Sequence, residues 1–227
     1  MSTYIRDYRI YEWGYREVTE DPDLPRVLLI GDSVSEGYTH PARMALAGKV
    51  NVLRVPQNAR HTRDGLQYLS QWLGDRRWDV VHFNWGLHDI SRTFRVRGVK
   101  TACDKTQVPP TEYEANLQEL VKRLRMVAAR LIWASTTCVP RRAPATGRRN
   151  IDVIRYNRIA HRVMQVNCIT INNLYALSWQ KLRDRQRSTP ADVHFTDAGY
   201  GVLGEQVAAS ILGELLKDNL LSSTDLP

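Results

Sequence analysis

A chain of 227 residues, 43% hydrophobic and 25% charged, is long enough for one domain with its own core and has the composition of an ordinary globular protein. Its formal charge of +8 comes from basic residues, mostly arginine, scattered along the whole length, which describes a solvated surface and no nucleic-acid recognition stripe. No run approaches the roughly 20 apolar residues that cross a bilayer, and the start lacks a signal-peptide core, so with Met1 as natural start the expectation is a cytoplasmic protein without membrane contact.

In chain order, residues 1–25 carry aromatics among charges (Tyr4, Tyr8, Tyr11, Trp13, Tyr15) and read as an arm lying on the body or on a partner subunit, so a homo-oligomer stays open. Short β-rich apolar runs then alternate with segments of helical spacing. Strands are predicted over 26–32, 51–56, 78–84, 130–136 and 168–172. Helices are predicted over 41–47, 62–73, 111–128, 152–165 and 196–217, the last with Thr196 as N-cap and Val202, Leu203, Val207, Ala208, Ile211, Leu212 and Leu215 along one side. Regular strand–helix alternation implies a parallel sheet with helices on both faces, an α/β three-layer α/β/α sandwich over 26–218, followed by a tail, 219–227.

Stretches 86–110 and 138–150 read as long loops, and long loops at strand ends are commonly functional. The second contains the densest basic group, Arg141 to Arg149, either a plain exposed loop or a contact for an anion. Cys103, Cys138 and Cys168 are too widely spaced for a disulfide framework or zinc knuckle and are expected as small buried hydrophobes.

In open parallel sheets ligands sit beyond the carboxyl ends of the strands. Beyond the first stand Asp32 and Ser33; beyond the second, Asn58, Ala59, Arg60 and His61; beyond the third, Gly86-Leu87-His88-Asp89. Asp192 and His194 precede the last helix. A serine hydroxyl needs an imidazole to take its proton, and the imidazole needs a carboxylate to fix its tautomer; Ser33, His194 and Asp192 supply these groups. Oxyanion donors would be the backbone NH of Ser33, a backbone NH at Ala59 or Arg60, and the His88 side chain.

"GDSVSEG" (31–37) with Asp192-Val193-His194 resembles the SGNH hydrolases, also called GDSL esterases and lipases, and "FNWGLHDI" is similar to a branch reading FN-x-GLHD. The resemblance runs from about Arg26 to Leu216. It implies a flavodoxin-like five-stranded sheet of order 2-1-3-4-5, Ser33 as nucleophile, Asp192 and His194 as its partners, and no cofactor. The family's third block has asparagine where this chain has His88, and its second block a glycine where this chain has Ala59 and Arg60. A neutral imidazole keeps an NH donor, and a side chain in the second block is tolerable unless the backbone is left-handed.

The reading is a serine esterase whose leading substrates are O-acetyl esters of carbohydrates, with lipid, aryl-ester or thioester hydrolysis, or a non-catalytic binding module, as alternatives. Asp32, Asn58, Arg60, His61 and Asn84 are candidates for substrate contact, although Asp32 and Asp89 also suit structural turns, and His82 and Asn84 satisfied polar positions on a strand. No pattern suggests a metal.

Overall fold

The apolar runs become the strands of one sheet. In the computed structural model, which describes residues 9–96, 99–140, 147–183 and 192–217, the elements follow in the order α1 (Arg9–Tyr15), β1 (Arg26–Ile30), α2 (Ser33–Ala45), β2 (Asn51–Arg54), α3 (Thr62–Leu73), β3 (Trp78–Phe83), β4 (Thr93–Val96) and β5 (Val99–Ala102). They continue with α4 (Pro110–Arg125), β6 (Ala128–Ala134), α5 (Asn150–Val166), β7 (Thr170–Asn172), α6 (Leu174–Lys181) and α7 (Asp197–Leu215). The main sheet is all parallel with order β2-β1-β3-β6-β7, which is 2-1-3-4-5 once the separate antiparallel pair β4-β5 is set aside.

Central strands carry no polar alternation because both faces are covered: Val27, Leu28, Leu29 and Ile30 are all buried. Helices α2 and α7 lie on one face, and α3, α4 and α5 on the other. The first pair is registered by close approach. A Cβ on Gly37 would lie 2.2 Å from the Tyr200 ring, and one on Gly204 would lie 2.5 Å from Pro41. These notches seat α7 directly on α2 and bring their N-termini to the same end of the sheet.

Three elements differ from expectation. Helix α2 begins at Ser33 and runs through Pro41, because Asp32 caps it: its side chain accepts from the Val34 NH, a start that the proline signal hid. The expected loop 86–110 contains the β4-β5 hairpin, tied back along the third block by Gln107 NH to Ser91 O (2.8 Å) and Val108 NH to Asp89 O (3.1 Å). Short α6, capped by Asn173, was not expected. Of the cysteines only Cys138 is buried; Cys103 and Cys168 are exposed, the latter on the α5-β7 turn with φ of 50°.

The 1–25 arm contains α1, which docks on α2: a Cβ on Gly14 would lie 3.0 Å from the Glu36 carbonyl, and the Trp13 ring sits 4.6 Å from that of His40. The tail 219–227 lies outside the described residues. Among the described residues no helix is long and apolar enough to cross a membrane.

Candidate active site

Strand β1 ends against a tight turn. A Cβ on Gly31 would come within 2.6 Å of the Ser35 Cβ, so only glycine lets the chain fold straight from strand into helix. Asp32 Oδ1 then accepts from the Val34 NH (3.0 Å) and its carbonyl from the Glu36 NH (3.0 Å). Ser33 is therefore the first residue of α2, where the NH has no intrahelical acceptor and the helix dipole favours negative charge.

Across the rim, Thr196 caps α7 by accepting from the Gly199 NH (3.3 Å). In the extended segment before it Val193 and Phe195 are buried, so alternation turns Asp192 and His194 the other way. The result is a hydrogen-bonded row. His194 Nε2 lies 2.8 Å from Ser33 Oγ, and His194 Nδ1 lies 2.5 Å from Asp192 Oδ1, which also accepts from the His194 NH at 3.0 Å. The carboxylate holds the ring proton on Nδ1 and leaves the Nε2 lone pair facing the hydroxyl.

Both expected second-block donors are engaged. The Ala59 NH donates to the Gly31 carbonyl (3.1 Å) inside the fold, and the Arg60 NH donates to Asn58 Oδ1 (3.0 Å), a side-chain acceptor that can exchange. Arg60 has φ of 48°, the left-handed geometry that suits glycine, at a strain of about 1–2 kcal/mol. A relay behind it fixes this conformation: Asn58 Nδ2 donates to Glu36 Oε1 (2.9 Å), which also accepts from the Tyr15 hydroxyl of α1 (2.5 Å).

In the third block the His88 ring has no hydrogen-bond partner among the described residues. Burial first, then the charges of Arg148 and Arg60, push its pKa down to about 3, so it is a neutral imidazole with one NH at any working pH. Asp89 faces inward and accepts from the Thr62 NH (2.9 Å) and hydroxyl (2.6 Å). Burial raises its pKa to about 7 against those hydrogen bonds. A carboxyl whose folded pKa lies above its unfolded one loses stability as pH rises between the two. From pH 5 to 8 the wild type should therefore lose about 3 kcal/mol relative to Asp89→Asn, read as urea-unfolding free energies; parallel curves would mean Asp89 titrates normally.

Of the candidate substrate contacts, four are committed to the fold. Asp32 caps α2, and Asn58 holds Glu36 and the Arg60 NH. His61 caps α3 by accepting from the Asp64 NH (3.2 Å), and Asn84 donates to the Ala134 carbonyl (2.7 Å) and to Thr136 (3.1 Å), tying β3 to β6. His82 is likewise buried, within 3.1 Å of Asn172. Arg60 remains at the surface, its guanidinium 3.5 Å from Asp64. One neighbour was not singled out: Arg148, whose Nε donates to the Leu87 carbonyl (2.5 Å). Its only sequence signal is membership of the basic 141–149 group. Among the described residues no three His, Cys, Asp or Glu side chains gather as metal ligands.

Residues 29–202 match the family model of the GDSL-like lipase/acylhydrolases. No curated protein sequence matches the chain. Among solved structures, the lipase/acylhydrolase from Enterococcus faecalis superposes with a TM-score of 0.68 at 18% identity, over 84% of this chain and 96% of that one. The acetyl xylan esterase AlAXEase gives 0.64 at 14% identity, over 82% and 99%. Axe2, an acetylxylan esterase from Geobacillus stearothermophilus, gives 0.61 at 16%, over 84% and 93%. At these identities the structural likeness speaks to the fold.

Proposed function

Since this chain belongs to the GDSL-like lipase/acylhydrolase family and is a serine ester hydrolase, we propose that it removes O-acetyl groups from carbohydrates through an acyl-enzyme on Ser33. The observation that carries the reading is the row Ser33 Oγ, His194 Nε2, His194 Nδ1, Asp192 Oδ1 at 2.8 and 2.5 Å. Ser33 Oγ attacks the ester carbonyl carbon as His194 Nε2 takes its proton, and Asp192 stabilises the imidazolium that forms. Collapse of the tetrahedral intermediate breaks the bond to the sugar oxygen, which leaves as the alcohol with the proton from His194. Water then repeats the sequence against the acyl-enzyme, releasing acetate and Ser33.

The negative oxygen of each intermediate is met by the Ser33 NH at the start of α2 and by the neutral His88 NH, with the Arg60 NH joining if it leaves Asn58. The acetyl–sugar assignment draws on the two acetyl xylan esterases among the similar folds. A fluorophosphonate probe should label one peptide, that containing Ser33, and acetylated xylo-oligosaccharides should release acetate faster than long-chain lipid esters are cleaved. Labelling at another serine removes the mechanism; preference for lipid esters removes the substrate.

A further inference from the structure

Arg148 belongs to a short segment between β6 and α5 that is pinned in place. Gly147 has φ of 62° and sits so close to Arg92 that a Cβ there would lie 2.7 Å from the Arg92 Cβ. Arg92 is itself clamped to Asp152 through Nε (3.1 Å) and the NH2 nitrogen (2.9 Å). From this base the half-buried Arg148 side chain reaches the third block, where its Nε donates to the carbonyl of Leu87, the residue before His88.

That single bond uses one of five guanidinium donors. Among the described residues its terminal amino groups have no hydrogen-bond partner, and no carboxylate lies within ion-pair reach of them. The other arginines around the site differ: Arg54 donates to Ser35, Thr39 and the Gly31 carbonyl, and Arg60 lies against Asp64. The carboxyl that feels the Arg148 charge is Asp32, which precedes Ser33, is buried and capped onto Val34, and is driven toward its neutral form by that burial. A planar fork held by its Nε to the residue before His88, its charge felt by His88 and by Asp32 next to Ser33, and with both amino groups without a partner among the described residues, matches a carboxylate in two-pronged fashion.

Resting on the esterase reading above, we propose that Arg148 determines specificity by binding a carboxylate carried by the ester substrate close to the scissile bond. The carboxylate can come from either half of the ester: from the acyl group, as in a succinyl half-ester, or from the alcohol, as in an O-acetylated uronic acid.

Two substrate pairs separate these sources and test the idea on the full chain. One is p-nitrophenyl acetate against p-nitrophenyl hemisuccinate; the other is the methyl ester of O-acetylated galacturonic acid against its free acid. Wild type should favour the charged member of one pair in kcat/KM, and the preference should shrink as salt is raised. Arg148→Gln should lower kcat/KM for that charged member by on the order of 10- to 100-fold more than for its neutral partner, through KM. Arg148→Lys should keep part of the preference. Wild type turning over neutral esters without preferring the charged member of either pair overturns this proposal alone, and needs no variant to fold. An equal fall in kcat on neutral and charged esters also overturns it, and reassigns Arg148 to holding the Leu87–His88 segment. Failure to hydrolyse any of the four esters removes the esterase reading and this one with it.

Discussion

Ser33→Ala should lower kcat for p-nitrophenyl acetate by about 10⁴-fold or more while the protein stays folded. The hydroxyl is the oxygen of the row that has a base against it, His194 Nε2 at 2.8 Å, and alanine removes it. The fold has little stake in it: α2 is capped by Asp32, the main-chain bonds of the turn involve Asp32 and Glu36, and alanine is a good residue in a first helical turn. Circular dichroism and a melting curve close to wild type, together with loss of fluorophosphonate labelling, complete the expected result. Turnover at the wild-type rate in a folded variant would exclude Ser33 as nucleophile.

His88→Ala should reduce kcat by about 100- to 1,000-fold with KM nearly unchanged, the signature of a donor used only in the transition state. Its ring is neutral because burial and the guanidinium charges of Arg148 and Arg60 oppose protonation, so the pH–rate profile should show no limb from His88 above about pH 5. His88→Asn, which returns an amide NH to the position, should recover part of the loss. A rise in KM with kcat intact would make His88 a substrate contact instead.

The strands, most of the helices and the parallel sheet were legible in the sequence, because apolar runs and capping residues are local signals, whereas the strand order came from the resemblance to the SGNH hydrolases. Helix α3 was expected over 62–73 and is found at Thr62–Leu73. Helix α2 was not, since Pro41 resembles a first-turn proline and the competing start at Asp32 depends on a side-chain bond. The β4-β5 pair escaped because each strand is four residues long and outside the main core. What sequence could not supply is the use each polar side chain makes of distant partners. Asn84 reaches a carbonyl 50 residues on, Arg148 one 61 residues back, and Asp89 a threonine 27 residues back. Motif spacing names the chemical types at the rim and leaves open which of them the fold has already consumed.

Helix α1 is joined to the rim by the chain Tyr15, Glu36, Asn58 and the amide of Arg60. Seven residues resting on one helix face open at far lower free energy than the strands beneath them. Once Tyr15 withdraws, Glu36 loses one of the donors that fix it against Asn58, and the hold of Asn58 on the left-handed Arg60 should loosen while every strand stays paired. Heat inactivation should therefore begin below the cooperative melt, the first set by the outermost helix and the second by the sheet; loss of activity coincident with melting would show that α1 opens only with the whole fold.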